Sequence, residues 1–332
     1  KFIRKGKTHK VIIVLDPPNF TLESLKRGKE LFIQNCSACH GIKGRGDGVS
    51  TKKIVNLPTD AIWPRNLSKP WKFRRGGKRK QIFLTLRTGL SMTSMPRFST
   101  RIFNDEQIWD IVHYVQTLSP SQKPKTPSIL KVRKKNGALP IDPSDPQWKT
   151  LDSNFFPLGG QVMRAKKISY PGIDNVVVKA MHNGSEIALY LHWDDPTVDP
   201  ILKNSTIVEE SPAPPLPAHL QVDESEEEQI TEEPQPQEFP DSIAIQFPIS
   251  VDDNGGKPYF LNGDSDHPVN LWKWNSYPMK ALEMNAVGVD KINAQGNDSQ
   301  GLSAKASFKY GRYFLVIKRS LTTADTKNDI QF

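Results

Sequence analysis

Residues 28–48 read GKELFIQNCSACHGIKGRGDG, and the CSACH within them, Cys36 to His40, holds both cysteines of a 332-residue chain. Two thiols three positions apart, followed directly by a histidine, have the spacing at which one porphyrin is held by two thioether bonds while the imidazole faces its iron. Zinc would need four ligands, and the sequence has no second cysteine pair to supply them. A thioredoxin-like dithiol belongs in a strand–helix–strand setting, which this run lacks. The motif therefore reads as a covalent haem c attached through Cys36 and Cys39, with His40 as an axial ligand of the iron.

Working outward, the flanking pattern is helical. Thr21 to Gln34 places Leu22, Leu25 and Phe32 on one stripe with Lys29, and Thr21 stands as N-cap. A second helix is expected from Asp105 to Leu118, capped by Asn104, with Ile108, Ile111, Val112, Val115 and Leu118 at helical spacing. His113 in this helix reads as a packed or surface residue. SPSQKPKTP, residues 119–127, then marks a domain boundary. Beyond it the period changes to two. NVVVKAMHNGSEIALYLHW is two alternating runs about Asn183-Gly184, which predicts a hairpin with Ile187, Leu189, Leu191 and Trp193 on one face. SIAIQFPIS and GRYFLVIKRSL read as further strands, so the second half is expected to be all-β.

The length fits two domains. No apolar run approaches the roughly 20 residues that span a bilayer, and VIIVL at 11–15 is stopped by Asp16-Pro17-Pro18. KFIRKGK at the start has no signal-peptide core, so a leader is expected to be absent or already removed. Net charge is +9, but residues 209–240 carry ten acidic residues, seven prolines and no Lys or Arg, so the remainder stands at +19. That stretch reads as an extended surface insertion. The run WKFRRGGKRK, with six basic residues from Lys72 to Lys80, reads as a grip on haem propionates or a steering patch for a redox partner rather than a nucleic-acid site.

With LRTGLSMTSMPRFS at 86–99 and IWDIVHYVQTLS at 108–119, the motif region resembles a class I cytochrome c over residues 20–120. The resemblance implies that Met95 of the Met95-Pro96 pair is the sixth iron ligand, with Met92 as runner-up. It also implies that Gly28, Phe32, Trp109 and Tyr114 pack the first helix on the last. With both axial positions filled, no coordination site is left for a substrate, and the expected activity is electron transfer.

Four blocks of the second half, ALYLHWDDPTVDP, PDSIAIQFP, PYFLNGDSDHPVNLWKWN and GRYFLVIKRSL, resemble in that order the haem b-binding gamma subunits of the ethylbenzene dehydrogenase, selenate reductase and chlorate reductase group. The fusion to a cytochrome c domain is most similar to the gamma subunit of nitrite oxidoreductase. In those relatives a methionine and a lysine clamp a haem b; the methionine position here is Asn262, and the lysine would lie beyond Phe332. The candidate haem b pocket is accordingly Asn262, Trp272, Lys273 and Met284, with Met279 as a further substitute. The resemblance implies an α+β multidomain chain: an arm at 1–20, an all-α cytochrome c domain at 21–120, a Pro/Lys-rich linker at 121–150, and an all-β immunoglobulin-like sandwich at 151–332 carrying the 209–240 insertion. It further implies a subunit not catalytic alone, one haem c and one haem b, partners bearing iron–sulfur clusters and molybdenum, a soluble cytochrome or similar carrier, no transmembrane segment, and a periplasmic or equivalent extracytoplasmic location. The alternative is a haem c-bearing assembly subunit whose β domain has lost haem b.

Overall fold

A computed structural model describes residues 12, 14–51, 63–120, 122–160, 173–199, 240–250 and 256–332. The expected acidic insertion therefore lies, up to residue 239, outside the described residues, as does nearly all of the arm before Val14. The chain divides into two compact units at Lys123–Pro124.

The first unit is helical. Helix α1, Leu22–Asn35, begins where predicted because the Thr21 hydroxyl accepts the Ser24 N–H at 3.0 Å. A single turn, α2 (Ser37–His40), carries the motif. Helix α3, Arg79–Thr88, was hidden by the basic run and ends at Gly89. Helix α4, Asp105–Thr117, starts with the side chains and backbones of Asn104 and Gln107 bonded reciprocally at 2.9 Å. The core is one cluster from α1, α3 and α4 and the segment between the last two: Phe32, Ile82, Phe83, Leu86, Phe98, Phe103, Ile108, Trp109, Ile111, Val112 and Val115. Helices α1 and α4 cross at Gly28, where an added Cβ would lie 1.9 Å from the Asp110 carbonyl oxygen. Phe32 meets Tyr114 at 5.2 Å beside this crossing, as the expected helix pairing requires.

The basic run is spent largely on internal ties. Lys80 pairs with Asp16 at 2.6 Å, Arg75 donates to the Thr88 hydroxyl, and Arg79 reaches both the Pro18 carbonyl and the Nε2 of His113. A guanidinium only donates, so Nε2 accepts and the His113 proton sits on Nδ1, 2.5 Å from the Ser24 hydroxyl. His113 is thus a packed residue, with Phe20 at 4.9 Å from its ring.

The second unit is a sandwich of two sheets. Strands β3 (Asn175–His182) and β4 (Glu186–Asp194) form the expected hairpin about Asn183-Gly184. β10 (Arg312–Ser320) lies antiparallel to β4, and β9 (Ser303–Phe308) to β10. β1 (Arg133–Lys134) and β2 (Asn154–Pro157) both pair with β3. The second sheet is a continuous meander of β5 (Ser242–Pro248), β6 (Val269–Asn275), β7 (Lys280–Ala286) and β8 (Ile292–Ala294). Ile187, Leu189, Leu191 and Trp193 face inward together onto Trp272, Trp274 and Tyr313. The opposite face of β4 is buried too. Leu139, Trp148 and Leu151 cover Met181, Ala188, Tyr190 and Val316, so much of the expected 121–150 linker is a packed cover of the sandwich. In the sequence, the prolines and lysines of that stretch mask Leu139 and Trp148.

One end of this interior is charged. Arg319 and Glu283, both without solvent exposure, form an ion pair, and Arg319 also donates to the Ile330 carbonyl and stacks over Trp272. At the other end Asp195, Asp199 and Asp241 gather near the Tyr313 hydroxyl, which donates to Asp241 at 2.8 Å.

Two buried groups, one in each unit, respond to pH in opposite senses. Burial, and then the Arg79 charge, hold His113 below its ordinary 6.5 against the pull of Asp110. Its unfolded counterpart takes up a proton first, so this stabilisation is complete above pH 6.5 and is lost as the pH falls below that value. Burial, and then Asp241, push the Asp195 carboxyl up to about 7 from an ordinary 3.8. The folded state keeps that proton while the unfolded state loses it, so the contribution is full below 3.8 and is lost as the pH rises through 7. Hydrogen exchange, corrected for intrinsic rates, is expected to show α1 and α4 losing protection from pH 7 to pH 5, and β4 and β10 gaining it from pH 8 to pH 6. Asp195→Asn weakens the second trend, the rest coming from Asp241, whose carboxyl burial also raises; an unchanged trend in that variant refutes the assignment.

Candidate haem site

The motif is shaped by hydrogen bonds more than by helix. Cys36 ends α1, its N–H donating to the Phe32 carbonyl at 2.8 Å, and its own carbonyl then accepts from Cys39 and His40 at 3.2 and 2.9 Å. This turn brings the two thiols and the imidazole onto adjoining positions. The chain after it folds back over the turn, with Gly46 N–H donating to the His40 carbonyl and Ser50 N–H to that of Ala38. Thr51 locks the knot by donating to the carbonyls of Cys39 and Gly46.

The donor set fits a covalently held haem. Both thiols are free of any disulfide, and burial raises both, Cys36 to about 12 with a further contribution from Cys39. The His40 Nδ1 lies 3.0 Å from the Arg65 carbonyl. A carbonyl only accepts, so Nδ1 carries the proton and the Nε2 lone pair is left for a metal. Burial lowers His40 below its ordinary range, opposed by the Arg65 bond, so the ring stays neutral as a ligand must be. Cys36 and Met95 both pack against the same helical core. Met92 is 91% exposed on a loop where its backbone has φ 62°. Arg65 could not have been found in the sequence, because a backbone carbonyl carries no side-chain signal.

The candidate haem b residues are not gathered in the same way. Trp272 points into the inter-sheet core, fully buried, its indole N–H bonded to Asn270 at 2.9 Å. Lys273 alternates to the outer face of the second sheet. Met284 shares that face, paired in register with Leu271 and packed on Val269, Leu271 and Ala286. Asn262 stands in a turn at φ 64°, its N–H bonded to the Gln246 side chain and its carbonyl to Gly288. Met279 is 53% exposed at the β6–β7 turn. Neighbouring side chains on one sheet face project in parallel, whereas axial ligands must oppose each other across a porphyrin. Asn262, Trp272, Lys273 and Met284 are therefore not brought together at one point of the sandwich. Among the described residues, no group of three or more His, Cys, Asp or Glu is arranged to hold a metal ion, and no helix is long and apolar enough to cross a membrane.

Comparison with known proteins locates two families in the chain. Residues 25–119 match the cytochrome c family, and residues 145–301 match the ethylbenzene dehydrogenase family. No curated protein matches the chain. Among solved structures, the reducing HAO-like protein complex of Kuenenia stuttgartiensis is similar at 29% identity, over 35% of this chain and 53% of that chain, with a TM-score of 0.32. The chain thus spans about half the length of that relative. A family 9 carbohydrate-binding module of Caldicellulosiruptor kristjanssonii, solved with glucose, is similar at 12% identity over 58% of this chain and 69% of that one, with a TM-score of 0.30. A carbohydrate-binding protein of Bacteroides uniformis is similar at 10% identity over 59% and 72%, with a TM-score of 0.31. The chain joins a cytochrome c domain to an ethylbenzene dehydrogenase-type domain.

Proposed function

We propose that this chain is the electron-transfer subunit of a nitrite oxidoreductase-like complex of the DMSO reductase family. It would stand between the iron–sulfur and molybdenum subunits and a soluble cytochrome or similar carrier, in the periplasm or an equivalent compartment. The observation that carries this reading is the arrangement at Cys36, Cys39 and His40: two free thiols and a neutral imidazole whose outer nitrogen is fixed by the Arg65 carbonyl. When bound, the haem supplies one-electron chemistry between ferric and ferrous iron. Cys36 and Cys39 hold it to the chain, so it cannot be lost by dissociation. His40, its Nδ1 tied to the Arg65 carbonyl, would offer Nε2 to the iron, and Met95 would supply a thioether, a ligand that favours the ferrous state and would leave no place for a substrate. The packed aromatic wall of Phe32, Trp109 and Tyr114 excludes water from the same core.

A second reading, that the β domain assembles the complex without a haem of its own, is favoured by the parallel placement of Lys273 and Met284 and by the inward Trp272. A haem inventory separates the two. Acid–acetone extraction of the purified chain is expected to leave one haem in the protein pellet, read by its pyridine haemochrome spectrum. A pellet without haem refutes the proposed site. One further haem in the extract supports a two-haem subunit with other ligands; an extract without haem supports the assembly role of the sandwich.

A further inference from the structure

We infer that Arg87 is a positioning residue for Met95, an inference that rests on the assignment of Met95 to the iron. Arg87 lies in the last turn of α3, where an arginine usually reaches solvent, yet its side chain is 5% exposed. Its guanidinium lies over the Phe83 ring, 5.4 Å from the centroid. One terminal nitrogen donates to the Phe98 carbonyl at 3.1 Å and to the Phe103 carbonyl at 2.7 Å; the other pairs with the Asp105 carboxylate. All three acceptors belong to the segment that follows Met95-Pro96.

The loop bearing Met95 is tied at several points, and Arg87 completes the set. Phe98 N–H donates to the Leu86 carbonyl at 2.8 Å, so the Phe98 residue is held through its N–H by α3 and through its C=O by Arg87. Leu90 N–H donates to the Met95 carbonyl at 3.3 Å, and Gly89, at φ 65°, allows that approach; a Cβ there would lie 3.0 Å from the Met95 oxygen. Burying a guanidinium is costly unless its donors are matched, and here they are matched by two loop carbonyls and the Asp105 carboxylate. Without Arg87, two buried carbonyls lose their donor and the loop can relax away from the core. Lysine cannot replace it, because a single ammonium cannot span two carbonyls and a carboxylate with a planar fork.

The test uses the full holoprotein as parent, Arg87→Met, Arg87→Lys and Val115→Ala, the last a core valine of α4 that loses packing without touching these ties. The readouts are covalent haem content, the far-red absorption of the methionine–ferric iron bond, and the imidazole concentration that half-displaces the methionine. Covalent haem is expected to stay the same in all four. In Arg87→Met the far-red band weakens and half-displacement needs about tenfold less imidazole, the usual scale for an outer-shell loss. Arg87→Lys recovers only part of this, and Val115→Ala lowers the melting temperature without moving either readout. An Arg87→Met protein with the parent's band and imidazole affinity overturns the inference, as does an equal change in Val115→Ala. A parent that lacks the band overturns the Met95 assignment, and the Arg87 role falls with it.

Discussion

Met95→Ala is expected to keep its haem and lose its closed coordination. The two thioether bonds at Cys36 and Cys39 do not depend on residue 95, so the covalent haem count is unchanged. The sixth position then opens, and the ferrous protein binds carbon monoxide that the parent excludes. Loss of a thioether ligand also removes a preference for ferrous iron, so the reduction potential falls by an amount on the order of 0.2 V, a fraction of the roughly 0.8 V that axial ligation spans. Optical titration under carbon monoxide and a redox titration measure both effects. Met92→Ala is the control: its side chain is 91% exposed, and neither readout should move. If Met92→Ala opens the iron and Met95→Ala does not, the two methionines have been assigned the wrong way round.

Gly28→Ala is the second large effect, and it acts on the fold. An alanine stabilises a helix interior by about 1 kcal/mol relative to glycine. At this crossing, however, its Cβ would sit 1.9 Å from the Asp110 oxygen and 2.5 Å from the Asp110 carbonyl carbon, both backbone atoms of α4 that cannot turn aside. The helices must separate, which opens the packing of Phe32, Ile108 and Val112 at a cost of about 3 kcal/mol or more. Overpacking wins over propensity by roughly 2 kcal/mol, which for a unit of this size is a fall of about 10 °C in melting temperature. Thermal melts followed in the Soret band measure it. Gly159→Ala, with nothing within 4 Å of the added carbon, should melt as the parent does.

The parts of this molecule that were legible in the sequence are those whose signal is local. Thr21 and Asn104 announce their helices because a cap is a contact between residues three apart. The Asn183-Gly184 turn fixes the β3–β4 register for the same reason. Helix α3 was missed because Arg79, Lys80 and Arg87 dilute the spacing of Ile82, Phe83 and Leu86, although all three are buried. Cys36, Cys39 and His40 are evident from their spacing alone. Arg65 and Arg87 are not, since one acts through its carbonyl and the other looks, as a letter, like any surface arginine. The ethylbenzene dehydrogenase-type blocks gave the sandwich but not a ligand pair, because the family's methionine position holds Asn262 here and strand alternation turns the substitute Lys273 away from Trp272 and Trp274.

The strand order of the sandwich also governs how it can be made. β4 waits for β10, more than a hundred residues further along, before Asp194 meets Arg312 and Trp193 meets Tyr313. The meander of β5 to β8 is complete before that partner leaves the ribosome, and it carries Trp272 and Trp274 on a face that only the first sheet can cover. Non-local closure of this kind is slow, and a finished sheet with an uncovered aromatic face is prone to aggregation in the interval. Production of this protein should therefore be limited by chaperone supply during synthesis of β9 and β10 rather than by the stability of the finished fold.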